Sequence, residues 1–300
     1  MNDHRRGFLR ASLIAAAGVP SILGSGAARA IPPIARKRPS HLKLSVAAYS
    51  YRQMLQSKPP KMDMFGFLEL AAHLGFDAVE PTSYYFPPDA DEAYFSRFKR
   101  QAFLEGLDVS GTSIGNNFCV PSGPKRAEQV AMTKKWIDRA AWMGAPVIRV
   151  FAGQVPKDST EEVAFGWVIE CFNEVLPYAE AKGIVLALEN HGGITASADQ
   201  LLKFVNAIDH PNFGVNLDTG NFRTEDPYGD LARLAPYAVN VQVKTEIRPK
   251  GKPAEEADLR RIVDILVNAL YSGYVVIEYE AAEDVRYAMP RYARKFRDLL

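Results

Sequence analysis

The sequence predicts a (β/α)8 TIM barrel, an α/β fold built as a single domain, and three observations carry that expectation. From Lys43 onward, segments with apolar residues three and four apart alternate with short apolar runs. Eight such runs fit into roughly 260 residues, the usual length for eight strand-helix units. Gly75, Gly106, Gly144, Gly183 and Gly273 stand between a helical pattern and the next apolar run, where a left-handed helix end favours glycine. The competing fold, a doubly wound open sheet, would call for a glycine-rich phosphate turn opening one helix, and the sequence has none.

In chain order the expected strands are Leu44–Tyr49, Asp77–Glu80, Val109–Ser113, Val147–Phe151, Ile184–Glu189, Phe213–Asp218, Val239–Lys244 and Tyr274–Glu280. They are short and apolar, as parallel strands covered by helices should be. Among the helices, Asp258 to Leu270 is the clearest: Leu259, Ile262, Val263, Leu266 and Leu270 form one stripe. A last helix, Asp284 to Leu299, closes the set. The barrel is therefore placed at residues 43–300, preceded by a proline-rich lead-in at 31–42 with Pro32, Pro33 and Pro39.

Residues 1–30 read as a removable signal. Arg5 and Arg6 precede Phe8 and Leu9, a weakly apolar run follows from Ala11 to Leu23, and Ala28-Arg-Ala30 has the small-x-small form of a cleavage site. The arginine pair resembles a twin-arginine signal, which implies passage of a folded protein through that export machinery to the bacterial periplasm. The apolar run is too short and too rich in Ala and Gly for a membrane anchor.

Four arginines and one aspartate leave with that segment, taking the formal charge from +1 to −2. A slightly acidic chain lacks the basic footprint of a nucleic-acid binder. Cys119 and Cys171 are too far apart in sequence for a C-x-x-C or zinc spacing, so ordinary partly buried thiols are expected.

Function is expected at the C-terminal strand ends, where barrels of this kind place their active sites. Asn216 and Asp218 of the sixth strand, Asn240, Gln242 and Lys244 of the seventh, and Glu278 and Glu280 of the eighth share one parity. Val215, Leu217, Val241, Val243, Ile277 and Tyr279 share the other. The polar parity should face the barrel axis and mouth, the apolar one the helices. With Glu189 from the fifth strand, three carboxylates and the Gln242 amide then converge, and unpaired carboxylates would repel one another strongly there. Two resolutions are open. One divalent cation bound by Glu189, Asp218, Gln242 and Glu278 suits the all-oxygen set, with Mn²⁺ or Mg²⁺ first and Co²⁺ as a further candidate. Alternatively, Lys244 and Arg149 neutralise the cluster as a buried ion-pair network.

This strand-end pattern resembles the xylose isomerase-like TIM-barrel superfamily, which holds sugar phosphate isomerases and epimerases, sugar-acid dehydratases and repair endonucleases. The likeness spans essentially the whole mature chain. The corresponding positions there are usually Glu, Asp, His and Glu around one metal, so Gln242 is a departure. The resemblance implies abstraction of a proton next to a carbonyl through a metal-stabilised enediolate, with Glu189 and Glu278 as acid and base and Lys244 as the charge-stabilising group. Reprotonation would give an isomerase or epimerase. Elimination from the same intermediate would give a lyase or dehydratase.

Glu80, Asn117, Arg149, His191 and Glu280 are the expected substrate contacts, Arg149 because a charge inside Val-Ile-Arg-Val-Phe must face something polar. Asn116 stands beside Asn117, and Tyr84-Tyr-Phe86 offers either a sugar-stacking wall or rim packing. The expected partner is a small carbohydrate, such as a ketose, keto-glycoside or sugar acid met outside the cytoplasm. A nucleic-acid phosphodiesterase would need several metals and many histidines, and the chain has five. A non-catalytic sugar-binding barrel would have no reason to keep the quartet.

Overall fold

The computed structural model describes residues 31–300; the expected twin-arginine signal at 1–30 lies outside the described residues. Strands β1 (Leu42–Ala47), β2 (Ala78–Glu80), β3 (Asp108–Val109), β4 (Thr112–Ser113), β5 (Val147–Val150), β6 (Val185–Glu189), β7 (Phe213–Asp218), β8 (Ala238–Val243) and β11 (Gly273–Ile277) form one parallel sheet. Two further strands, β9 (Glu246–Ile247) and β10 (Glu255–Glu256), make a small antiparallel hairpin. The helices are α1 (Arg52–Leu55), α2 (Met64–His73), α3 (Glu92–Leu104), α4 (Pro124–Met143), α5 (Glu161–Ala181), α6 (Ala198–Ala207), α7 (Pro227–Leu234), α8 (Leu259–Asn268) and α9 (Val285–Arg297).

The sheet runs β3-β2-β1-β11-β8-β7-β6-β5-β4. Its two ends, β3 and β4, belong to one stretch of chain, Asp108 to Ser113, so the eight expected staves close into a barrel. The expected third strand is thus divided: its first half pairs with β2 and its second half with β5. Gly111 sits at the break, where an added Cβ would lie 2.8 Å from a Val147 methyl, so a side chain there would push the stave out of line.

Helix ends follow the sequence in most places. Gly75, Gly106, Gly144 and Gly183 have positive φ. The exception is α8, where Leu270 takes the left-handed conformation (φ 56) and is exposed, so Gly273 opens β11 and Leu270 drops out of the apolar stripe. Leu259, Ile262, Val263 and Leu266 remain buried in α8 as expected. The core lies between sheet and helices: Phe67, Phe95, Phe98, Phe172, Phe204 and Phe296 are fully buried, each contributing about 1.5–3 kcal/mol by leaving water. Cys119 and Cys171 are free and fully buried, deeper than expected. The lead-in is tied down by Ile31 N–H to Val205 O, Ile34 N–H to Pro236 O, and Arg36 Nη2 to Ala238 O at 2.7 Å.

One irregularity sets the height of the site residues. Val215 pairs with Ala238 and Asn216 with Asn240, leaving Val239 as an extra residue in β8. Gly214 accommodates it, since a Cβ there would meet Val239 Cγ1 at 2.5 Å. The bulge brings Asn240 level with Asn216, and Gln242 level with Asp218.

Candidate active site

Inward parity holds as expected: Asn216, Asp218, Asn240 and Gln242 are buried polar residues, while Val215, Leu217, Val241, Val243 and Ile277 join the apolar core. Lys244 and Glu278 follow directly after β8 and β11, at the C-terminal mouth. The inward residues then divide into two layers.

The lower layer is a closed ring of hydrogen bonds. Asn240 Nδ2 donates to Asn216 Oδ1 (2.8 Å) and to Glu80 Oε2 (2.6 Å), Asn216 Nδ2 donates to Gln242 Oε1 (2.8 Å), and Gln242 Nε2 donates to Glu80 Oε1. Ser113 Oγ adds a donor to Glu80 at 3.2 Å. Glu80, expected to touch substrate, is fully buried, and both its oxygens are engaged within this ring. Burial raises its pKa, though the two amide donors oppose the shift.

The upper layer is ionic. Lys244 Nζ lies 2.5 Å from Glu278 Oε2, 2.6 Å from Glu280 Oε2 and 3.1 Å from Asp218 Oδ2. Arg149 Nε lies 3.0 Å from Glu189 Oε2, and Arg149 Nη1 donates to Ile114 O. Of the four ion pairs only Lys244–Glu278 is a hydrogen bond; the other three are off the hydrogen-bonding line, and Asp218 Oδ2 and Arg149 Nε are buried without a hydrogen-bond partner. The opposite oxygens are held: Asp218 Oδ1 accepts from Gly220 N–H and Glu189 Oε1 from Asn221 Nδ2, both at 2.8 Å.

Electrostatics separate the carboxyls. Burial lifts Asp218 to about 7, with Lys244 opposing and Glu278 adding to the rise. Burial likewise lifts Glu189 well above the carboxylate range against the pull of Arg149. Glu278 is equally buried, but the Lys244 ammonium, helped by Arg149, outweighs the burial and holds it below its ordinary value. Burial disfavours the Lys244 charge, yet Asp218, Glu278, Glu280 and Glu189 together raise its pKa well above that of a free lysine. Neighbouring acids pushed in opposite directions are the usual setting for one proton donor and one acceptor.

One cavity reaches this layer and a second opens near it. One of about 340 Å³ is lined by Tyr49, Arg52, Asn221, Arg223, Lys244, Arg248 and Glu280, among others. A second, about 190 Å³, is lined by Asn117, Phe151, His191 and Thr195 together with Asn116 and Gly153. The expected contacts therefore divide: Glu280 borders the first cavity, Asn117 and His191 the second, and Arg149 is buried between strands beside Glu189. His191 packs on Phe151, and burial with the nearby Arg149 and Lys244 charges lowers its pKa. Asn116 braces the end of β5, its amide pairing with both Phe151 N–H and Phe151 O. Of the aromatic trio, Phe86 is buried among Phe95, Phe98 and Trp136, which is rim packing.

Three supporting residues were not singled out from sequence. Asn190 clasps Asp218 by pairing with both its N–H and its C=O. Asn221 holds Glu189. Gly220 lets the Lys244 chain pass: a Cβ there would lie 2.7 Å from Lys244 Cδ and 2.9 Å from Glu246 O. Asn190 follows Glu189 directly, and an amide next to a strand-end carboxylate was the available signal.

The four expected metal ligands do not, as arranged, fit a divalent ion. Gln242 is held in the lower ring by both ends of its amide, Glu189 is engaged by Arg149 and Asn221, and the Lys244 ammonium stands among the remaining carboxylates. Among the described residues no group of three or more His, Cys, Asp or Glu is disposed to hold a metal. Of the two resolutions open from sequence, these side chains build the ion-pair network.

A family model described as a xylose isomerase-like TIM barrel matches residues 68–297. Among solved structures, the chain is similar to a xylose isomerase domain protein from Planctomyces limnophilus, with 19% identity and TM-score 0.67 over 87% of this chain and 99% of that one. A D-psicose 3-epimerase from Clostridium cellulolyticum H10, in complex with D-tagatose, matches with 20% identity and TM-score 0.71 over 86% and 99% of the two chains. The probable 3-DHS dehydratase of petrobactin synthesis from Bacillus anthracis matches with 14% identity and TM-score 0.65 over 85% and 98%. At these identities the likeness shows the fold. No curated protein matched the chain in a sequence comparison.

Proposed function

Because the chain belongs to the xylose isomerase-like TIM-barrel family, we propose that it is an enzyme that removes a proton from carbon next to a carbonyl of a small carbohydrate. The supporting observation is the Lys244-centred cluster: a buried cation among oppositely shifted carboxyls, with Lys244 and Glu280 bordering a 340 Å³ cavity. In this reading Glu278, held as a carboxylate, accepts the proton, breaking the C–H bond. The electron pair moves into the new C=C bond and the carbonyl oxygen becomes an enolate oxygen. Glu189, whose raised pKa suits a proton carrier, returns a proton to the intermediate. Return at the neighbouring carbon or on the other face gives isomerisation or epimerisation. Loss of a β-hydroxyl gives a dehydratase.

The cavity's lining favours a sugar acid among the candidate substrates. Arg52, Arg223 and Arg248 border it, and none of them forms an ion pair among the described residues. Guanidinium groups without acidic partners suit a carboxylate on the ligand. Asn117 and His191 would bind hydroxyls from the second cavity. With the signal expected at residues 1–30, the substrate would be met in the periplasm after twin-arginine export. Among the described residues no helix is long and apolar enough to cross a membrane.

The divalent ion expected from sequence, Mn²⁺ or Mg²⁺ with Co²⁺ as a further candidate, is a second reading. One observation favours it: Asp218 Oδ2 is buried without a hydrogen-bond donor. It requires Lys244 to withdraw from the carboxylates.

The reaction class is tested by incubating the mature protein in D₂O with ketoses, keto-glycosides and keto-acid sugars and following loss of the C–H signal by NMR. Exchange with at least one member is the expected result. No exchange with any member, at enzyme and substrate concentrations sufficient for slow turnover, would count against the reading.

A further inference from the structure

We propose that the Lys244 ammonium takes the position and the charge-stabilising task of a metal in this site, so that the folded chain holds no resident divalent ion. The functional half of this inference rests on the proton-transfer reading above; the metal half stands on geometry alone.

Lys244 Nζ has carboxylate oxygens at 2.5, 2.6 and 3.1 Å, from Glu278, Glu280 and Asp218. Those are the separations of an ammonium among carboxylates: it donates a hydrogen bond to Glu278, while Glu280 and Asp218 lie at ion-pair distance off the hydrogen-bonding line. A Mg²⁺ or Mn²⁺ ion binds at about 2.0–2.2 Å, so it would have to draw the same oxygens inward onto a point already flanked by the ammonium, where like charges repel in a water-poor setting. The fourth expected ligand cannot follow. Gln242 Oε1 accepts from Asn216 while its Nε2 donates to Glu80, and both partners belong to the closed ring with Asn240. Turning that amide toward the mouth would break the ring and orphan buried polar atoms, which the fold opposes. Arg149, at 3.0 Å, balances Glu189 in the same manner.

Lys244 is also placed to act. It lines the larger cavity beside Glu280, and the Glu280 side chain is 37% exposed whereas those of Asp218 and Glu278 are 0% and 8%. A substrate carbonyl oxygen would therefore displace the solvent-facing Glu280, accept one Lys244 N–H, and hold that hydrogen bond as it becomes an enolate. The hydrogen bond to Glu278 and the charge of Asp218 hold the ammonium in place. The close pass of the Lys244 chain over Gly220 serves the same positioning.

Manganese binding decides the matter independently of turnover. Mature protein freed of metal is titrated with Mn²⁺, and free Mn²⁺ is read from its EPR signal, for wild type and for Lys244→Ala. Wild type should leave the signal undiminished, whereas Lys244→Ala, with its carboxylates unneutralised, should take up one equivalent. Uptake of one equivalent by wild type overturns the proposal whatever the variant does. If Lys244→Ala fails to fold, as judged by circular dichroism, Glu280→Gln replaces it: this variant keeps Lys244 and should bind no Mn²⁺, and binding there also overturns the proposal. Absence of deuterium exchange would remove the proposed reaction while leaving this titration unaffected.

Discussion

The two inward layers of this barrel share the inward parity of β7 and β8, which contribute to both, yet they solve opposite problems. In the lower layer a single acid, Glu80, is surrounded by amides that donate to it, and the ring closes on itself with nothing left to offer a ligand. In the upper layer four acids meet two cations, three of the contacts stay off line, and a cavity opens beside them. Parity decides that a residue points inward. Side-chain partners decide whether it serves the fold or the mouth: Gln242 and Asp218 stand level, yet one closes the amide ring and the other joins the ion cluster.

The sharpest way to break this division is to exchange its members one at a time. Glu278→Gln keeps the shape of the upper layer and removes the acceptor, so exchange should fall by about 10²–10⁴. Its urea midpoint should fall as well, because Lys244 loses a buried charge partner, so exchange is read per folded protein. Glu80→Ala should act on stability: the orphaned Gln242 and Asn240 donors cost about 3 kcal/mol in urea unfolding, with exchange by the folded fraction changed only a few-fold. Were Glu80→Ala to abolish exchange in folded protein, the lower layer would belong to the chemistry and the division would fail. Gly220→Ala, which forces the Lys244 chain aside, should lower exchange by about tenfold, as misplacing a reacting group does. Gly214→Ala, clashing with Val239, should shift register as well as stability, costing about 1–3 kcal/mol.

The smallest effect is in pH dependence. Asp218 has a folded pKa of about 7 against an ordinary 3.8, so the folded state binds its proton more tightly than the unfolded chain. That contribution to stability is complete below pH 3.8 and is lost as pH rises toward 7. Asp218→Asn should therefore flatten the stability profile across that window. An unchanged slope would place Asp218 outside the titrating set.

Much of this was legible in the sequence because it depends on period and chemical type. Eight apolar runs gave the staves, and alternation in Val215-Asn-Leu-Asp218 and Val241-Gln-Val-Lys244 gave the inward face. The division of Asp108–Ser113 was not legible, because it depends on which neighbour each half pairs with. The left-handed turn at Leu270 was missed because glycine statistics pointed three residues further on. Glu80 was expected at the substrate because a strand-end acid reads the same in sequence whether amides or a ligand face it. Gln242 is equally ambiguous in sequence. Its amide can ligate or hydrogen bond, and only the positions of Asn216 and Glu80 decide which. Sequence left open whether a metal or Lys244 and Arg149 balance the acids, since charge counting permits both; the side-chain distances favour the lysine.

The central claim is proton transfer at a lysine-centred mouth, and chelated protein tests it most directly. Wild type, Lys244→Ala and Glu278→Gln are treated with EDTA, and deuterium incorporation next to the carbonyl of the best substrate from the panel is followed in D₂O. The account predicts that wild type keeps its full exchange rate after chelation while both variants lose at least about a hundredfold. Exchange that vanishes on chelation and returns with Mn²⁺, or that survives in Glu278→Gln at the wild-type rate, would contradict it.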